Sequence, residues 1–471
     1  MGAVTHNPDF LWYLGGYAVI MIAMGIYFSR KISTSEDFVL AGKSLGPVVL
    51  MGTLIATWCG SGTVTGGGNS LAYSFGLGPA LFFCTEGLLG IGLLSLIAPK
   101  IRAYGKYTIS GILEDKYGVE AKILSSIIIV LAYVGIVSYQ YKGLGYVLHV
   151  TTGMSVELGT IISAALMIFL AAIGGLMTVA PTDALSSFII LIGLVVGVPS
   201  VLGYAGGWDN VVASVPKTHL NPMGSLTPLQ LIGYILPPVF LLLGDQNMYQ
   251  RLASSKGDKE GKIGTIGWLI GILIIYPAVA VIAFAARAIF PNIEPGMALI
   301  STTTVIPTAI GGLMLAAVAG FVITTGNSYL LSAATSVTYD IYGEYINTDA
   351  TDKQKLVATK ITIPVLGVIA YLLIKYFPSI LAVQMYAYTV YAAGITPAVL
   401  AVFLWDRVNK PGGISSMVSG VVVTLVWEII LKKPFDINSI VVSVPIAVIA
   451  LIVVTLMTSQ PKDTNSNTHV N

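Results

Sequence analysis

Residues 54–73 read LIATWCGSGTVTGGGNSLAY. Apolar residues run up to Trp58 and resume at Leu71, but Gly60, Gly62, Gly66, Gly67 and Gly68 place five glycines in nine positions between them. Glycine weakens a helix and admits backbone angles that other residues avoid. In hydrocarbon, every freed backbone N–H and C=O must find a partner or line a wet cavity. One glycine pair would read as close helix packing, because small residues also line helix interfaces. Five so close together read as a break at membrane depth, and so as a candidate binding site.

The rest of the chain supports a membrane setting. Of 471 residues, 55% are hydrophobic and 10% charged, against roughly 25% charged in a soluble domain. Many apolar runs approach 20 residues, enough to cross a hydrocarbon core of about 30 Å. Length and breaks predict about thirteen helices: approximately 9–29, 46–73, 77–98, 121–150, 156–177, 184–206, 230–250, 264–290, 309–341, 357–376, 380–405, 414–431 and 440–458. The class expected is an all-α polytopic membrane protein, with no soluble enzyme module. The N-terminus lacks a basic region and a small-residue cleavage site, so the first run reads as a retained span.

Lys and Arg alternate between loops. One set holds Arg30, Lys31, Lys43, Lys100, Arg102, Lys106, Lys116 and Lys122. It continues through Arg251 to Lys262, Lys353 to Lys360, Arg407, Lys410 and Lys462. The other holds only Lys217, Arg287, Lys375, Lys432 and Lys433. The positive-inside rule makes the first set cytoplasmic. The N-terminus is then outside and the tail inside, as an odd number of spans requires. A multi-pass protein of the plasma or inner membrane is expected.

The net charge of +2 and the lack of a basic tract interleaved with aromatics exclude nucleic acid as an expected partner. The cysteines, Cys59 and Cys84, both fall in predicted spans, so no disulfide framework is expected. His6, His149, His219 and His469 lie near ends or loops and suggest neither catalysis nor a transition-metal site. No repeated filter loop suggests a channel.

A second interruption follows five spans after the first, in LPPVFLLLGDQNMYQR, residues 236–251. Pro237 and Pro238 remove backbone donors, and Gly244 precedes Asp245, Gln246 and Asn247. Two broken helices five spans apart are what an inverted five-plus-five repeat predicts, with its site near the midplane.

At these positions the chain resembles the sodium:solute symporter family, which has the LeuT-like fold. The resemblance rests on SEDFVLAGKSLGP (35–47), ATWCGSGTVTGGG (56–68), GGLMTVAPTDALSSF (174–188), DQNMYQRLASSK (245–256) and TTGNSYLLSAATSVTYDIY (324–342). It covers nearly the whole chain, and ATWCGSG most resembles the choline-transporter branch. It implies one membrane transport domain over 1–471. The parts would be a leading helix at 9–29, a first repeat at 46–206, an inverted second repeat at 230–405, two trailing helices at 414–458 and a cytoplasmic tail at 459–471.

The resemblance also implies a sodium site made of the Ala56, Cys59 and Phe321 carbonyls and the Thr324 and Thr325 hydroxyls. An unwound helix exposes carbonyls, and a hard cation takes oxygen ligands. Either hydroxyl could instead bond back to its own helix. A second sodium would use Asp183, Asn327 and Ser328, although Asn327 stands where a hydroxyl is expected. Asp183 could equally cap a helix beginning at Ala184.

Charges in or near the membrane core default to functional hypotheses; here they are Glu86, Asp183, Asp245 and Lys142. Trp58 and Asp245 together suit an amine or quaternary ammonium group. By position the substrate site would add Thr63, Phe83, Glu86, Met385, Tyr388 and Thr389. Choline-type relatives carry an aromatic where this chain has Asp245. Asp245 could instead cap the half-helix starting near Asn247 or pair with Lys142 or Arg251, and Trp58 could simply pack. Lys142 could hold a carboxylate, pair with an acid or snorkel toward an interface.

The expected function is sodium-coupled symport of a small polar solute by alternating access, the solute being an amine, amino acid or zwitterion. The alternative is proton-coupled or organic-acid transport on the same fold. One sodium, or two, is the expected ion requirement. A membrane-embedded monomer contacting lipid is the expected assembly.

Overall fold

The computed structural model describes residues 4–30, 37, 40–104, 106, 108–173 and 176–458. The expected tail at 459–471 and part of the SEDFVLAGKSLGP motif lie outside the described residues. Pro47 opens the glycine-rich span. It sits at the first helical position, where its missing N–H costs nothing and its fixed φ suits a helix. The span then comes in three pieces: α1 (Phe10–Ser29) precedes it, and α2 (Pro47–Trp58), α3 (Ser61–Val64) and α4 (Gly67–Phe75) compose it. The chain bends by 56° between Pro47–Trp58 and Ser61–Phe75. The break is therefore double, at Cys59–Gly60 and again at Thr65–Gly66.

The first half continues with α5 (Leu77–Tyr104), the short α6 (Ile109–Tyr117), α7 (Val119–Thr152), α8 (Val156–Ile173) and α9 (Leu176–Tyr204). After α10 (Trp208–Ser214) come α11 (Pro228–Gly244), α12 (Gln246–Ala253), α13 (Asp258–Ile289) and the short α14 (Ala298–Thr302). Then follow α15 (Thr308–Thr335), continued by a π-helix over Ser336–Ile346, α16 (Asp352–Ile374), α17 (Ile380–Gly394) and α18 (Thr396–Leu404). The last pair, α19 (Lys410–Leu425) and α20 (Ile440–Met457), pack on each other. Local signals set many ends. Capping boxes open α11 at Thr227 and α16 at Thr351, and Gly153 closes α7 with φ +76°, a conformation that favours glycine.

Among the described residues, eleven helices are long and apolar enough to cross a membrane, and the bent glycine pair makes twelve. The shortfall from the expected thirteen is α8, whose apolar stretch Val156–Ala172 is shorter. Large apolar side chains such as Trp12, Val19, Leu96, Phe169 and Ile361 are exposed. With no polar face to set against them, they mark the lipid-facing surface. The apolar window of α1 is only 11% buried and that of Thr308–Ile346 78%, so α1 lies at the rim and α15 in the core.

Two expectations need correction. Pro237 and Pro238 lie inside α11; the interruption falls at Asp245, where φ is −70° and ψ 119°. Asp183 lies well within α9, so it caps no helix at Ala184.

The pieces α2–α4 sit at the centre. The long neighbours α9, α13 and α15 pack against α2, α13 and α5 against α4, and α7 against α3. The two broken spans are also tied directly: Leu45 N–H donates to the Ser254 carbonyl at 3.0 Å, and Lys256 N–H to the Leu45 carbonyl at 3.0 Å.

Candidate functional site

Where α2 stops at Trp58, its last carbonyls lose their partners within the helix. The carbonyl of Ala56 accepts instead from the Thr325 hydroxyl, at 2.7 Å, across to α15. That approach needs Gly60: a Cβ there would stand 2.6 Å from the Thr325 Cβ. Cys59 occupies the interruption itself, with φ −89° and ψ 53°. The Thr324 hydroxyl donates to the Phe321 carbonyl at 3.2 Å within its own helix. All five residues are buried. The Ala56 carbonyl and the Thr325 hydroxyl thus meet at an open helix end, and such oxygens are what a hard monovalent cation takes.

The side chains on the other face of the break meet a carboxylate. Glu86 on α5 is 1% exposed. Its Oε1 accepts from the Tyr276 hydroxyl at 2.5 Å and from the Trp58 indole N–H at 3.3 Å, while its buried Oε2 has no hydrogen-bond partner. Trp58 stacks on Tyr388 at 6.3 Å between ring centroids, with planes 20° apart. Tyr139 donates to the Tyr388 hydroxyl at 3.2 Å. Phe83 fills the space beside Gly67, and Thr63 is buried in α3. The result is a buried carboxylate among aromatic side chains, with one oxygen unpartnered.

Two glutamines hold the broken helix open. The Gln140 side-chain oxygen accepts from Ser61 N–H at 2.8 Å, at the start of α3. That of Gln384 accepts from Gly67 N–H at 2.9 Å, at the start of α4. These satisfy donors that the helix cannot satisfy itself.

Several expected substrate residues are engaged elsewhere. Asp245 caps α12: Oδ1 accepts from Met248 N–H at 3.0 Å and Oδ2 from the Tyr329 hydroxyl at 3.0 Å. Around this break stand Tyr133 and Tyr391, stacked at 5.3 Å. Lys142 pairs with Glu294 at 2.9 Å, and Tyr146 bonds the same Glu294 oxygen. Thr389 donates to the Met385 carbonyl and to Asn438 Oδ1, toward the start of α20. The Met385 side chain is buried.

The expected second sodium site is also differently filled. Asp183 Oδ2 accepts from Thr53 at 2.5 Å and lies 3.5 Å from Arg251 Nη2. The same Nη2 donates to Ser328 Oγ at 2.7 Å. Asn327 is buried, and its Oδ1 lacks a partner.

Sequence reasoning missed Tyr276, Tyr139, Gln140, Gln384 and Glu294, and it placed Arg251 with the cytoplasmic charges or beside Asp245, whereas Arg251 is buried against Asp183. Arg251 and Glu294 were visible as charges, but their partners lie 68 and 152 positions away. The tyrosines and glutamines carried no local signal.

The structure is similar to a substrate-bound, outward-open sodium-coupled sialic acid symporter. The TM-score is 0.81, with 20% identity over 96% of this chain and 98% of the other. It is also similar to Mhp1, a nucleobase-cation-symport-1 transporter (TM-score 0.62, 13% identity, 89% and 93% covered). Among curated sequences, the Escherichia coli K12 sodium/pantothenate symporter is 27% identical over 461 residues, covering 93% of this chain and 95% of that one. The Bacillus subtilis osmoregulated proline transporter OpuE is 25% identical over 472 residues, covering 95% and 94%. The Staphylococcus aureus sodium/proline symporter is 26% identical over 475 residues, covering 93% and 90%. The described residues thus carry a LeuT-like helical fold, and the full-length relatives are transporters rather than enzymes. A model of the sodium:solute symporter family matches residues 38–420, and the chain belongs to that family.

Proposed function

We propose that this protein is a sodium-driven symporter of a small amine-bearing solute, a cationic amine or an amino acid. Glu86 is the observation that carries the solute class. Its carboxylate is buried, both of its hydrogen bonds come from donors to Oε1, and Oε2 is free. Burying an unpaired charge is costly. A protonated Oε2 would meet the same difficulty, since its hydroxyl would have no acceptor. A ligand ammonium beside Oε2, flanked by Trp58 and Tyr388, satisfies the carboxylate and adds a cation–π contact. The Ala-Thr-Trp resemblance to the choline branch points the same way.

Sodium binds, in this reading, between the Ala56 and Cys59 carbonyls and the Thr324 and Thr325 hydroxyls. The distance between Ala56 and Thr325 supports it. In this reading Thr63, Phe83 and Met385 join Glu86 in contacting the solute, while Asp245, Lys142 and Thr389, engaged with Tyr329, Glu294 and Asn438, act outside the site. The chain is one transport domain with α8 as a full span, in a plasma or inner membrane, N-terminus outside and tail inside.

Sodium-gradient uptake into proteoliposomes tests this, with amines, amino acids, organic acids, sugars and urea as the panel. Uptake of an amine-bearing solute should require sodium. Glu86→Gln should lower its kcat/KM by about 10- to 150-fold, the worth of a lost charged contact. Pantothenate is named for one relative; uptake of such an acid, indifferent to Glu86→Gln, would overturn the amine assignment. Uptake indifferent to sodium would overturn the coupling.

A further inference from the structure

Arg251 is an uncommon residue to find fully buried inside a membrane bundle: it is 1% exposed, and Asp183 beside it 0%. Its guanidinium reaches four residues on four helices, its own α12 among them. Nε donates to Thr53 Oγ1 at 3.0 Å. Nη1 donates to the Asn247 carbonyl at 3.3 Å and its Oδ1 at 3.4 Å. Nη2 donates to Ser328 Oγ at 2.7 Å and faces Asp183 Oδ2 at 3.5 Å. Carboxylate, hydroxyls and a carbonyl are the oxygens a hard cation would use, and here a planar cation on a tether already holds them.

We infer that the Arg251 guanidinium occupies the place of a second cotransported cation, so that the protein couples one sodium ion, not two, to each solute. The inference rests on the Ala56–Thr325 sodium site proposed above. Charge balance carries it. Asp183 and Arg251 together are neutral. A sodium ion added at the unpartnered Asp183 Oδ1 would place two cations against one carboxylate. Like charges so close repel strongly where water does not screen them. Asp245 does not rescue the balance, because its oxygens already accept the Met248 N–H and the Tyr329 hydroxyl at the N-terminus of α12, where the helix dipole compensates its charge. Remove the guanidinium and the balance reverses: Asp183 is left buried and uncompensated, with Ser328 Oγ released and Asn327 Oδ1 already unpartnered. Arg251 and Ser328 also line a small cavity with Asn247, Gln250 and Thr335, which offers an ion room to approach.

Equilibrium binding of radioactive sodium to the purified full-length protein, read as ions per chain, tests this. Wild type should bind one ion, and Asp183→Asn should still bind one. Arg251→Gln should bind two, returning to one in Arg251→Gln/Asp183→Asn. Arg251→Lys, which keeps the tethered charge, should bind one. Two ions in wild type, falling to one in Asp183→Asn, would overturn the inference even if no Arg251 variant folds. So would Arg251→Gln holding at one. No sodium bound by wild type would remove the Ala56–Thr325 site, and with it this inference.

Discussion

At the scale of single residues, the two threonines of the proposed sodium site are not equivalent. Thr325 crosses to the Ala56 carbonyl at 2.7 Å, whereas Thr324 bonds back to Phe321 in its own helix. Thr325→Ala should therefore raise the sodium concentration for half-maximal uptake about 10- to 100-fold, the worth of a hydroxyl ligand on a charge. Thr324→Ala should raise it by less than about threefold, because the hydroxyl it loses already has a backbone partner. Gly60→Ala should mimic Thr325→Ala, since its Cβ would stand 2.6 Å from the Thr325 Cβ. Sodium titration of uptake checks all three, and equal effects at Thr324 and Thr325 would contradict the geometry. The contact between Thr325 and the first break was legible in outline, because a hydroxyl pair stands in a motif matching that break, but which of the two hydroxyls crosses to Ala56 was not. Asp245 was misleading for the converse reason. A carboxylate just before Gln246–Ala253 can be a ligand or a cap, and the sequence does not show Tyr329 taking its second oxygen.

At the scale of elements, the glycine run announced a broken span, and the break is there with a 56° bend. What the run could not announce is what fills the gap. The glycine φ values at the break are −81° and −98° at Gly60 and Gly66, so these glycines are not used for left-handed backbone. They are used for room. A side chain at Gly62 would meet Gln384, Tyr388 and Tyr139, and one at Gly67 would meet Phe83. The prolines of α11 misled in the opposite sense, being absorbed within the helix while Asp245 opens the true gap. The caps on the glycine break make a prediction of their own. Gln384→Ala leaves the buried Gly67 N–H without its acceptor and should cost about 1–3 kcal/mol, seen as a lower melting temperature in detergent. A Gln384→Ala protein that melts with wild type would mean that the glutamine does not hold the break.

At the scale of the whole molecule, composition and Lys/Arg alternation laid out the spans, but not the contacts between loop and core that alternating access must break. One such contact stands out. The segment between α13 and α15 is fastened to α4 and α7. Asn69 Nδ2 donates to the Pro295 carbonyl, and Leu299 N–H donates to Asn69 Oδ1, each at 3.0 Å. Tyr73 donates to the Phe290 carbonyl at 2.6 Å. From α7, Lys142 and Tyr146 hold Glu294. In the orientation proposed from the charge alternation this face is the outer one, and there the fastening would cover the glycine break from outside. Lys142 and Glu294 are 20% and 37% exposed at their side chains. A pair so placed is worth about 1 kcal/mol or less. Lys142→Gln should then shift the balance toward an outward-open form by no more than about fivefold. Cys59, buried at the break, reports the shift directly. In a Cys84→Ser background, a membrane-impermeant thiol reagent added outside should label Cys59 faster in Lys142→Gln and in Glu294→Gln. The swapped pair Lys142→Glu/Glu294→Lys should label more slowly than either single variant. Because the pair is partly exposed, high salt should speed labelling of wild type and leave Lys142→Gln nearly unchanged. Labelling unaffected by either single substitution would show that Asn69 and Tyr73 close this face without the ion pair.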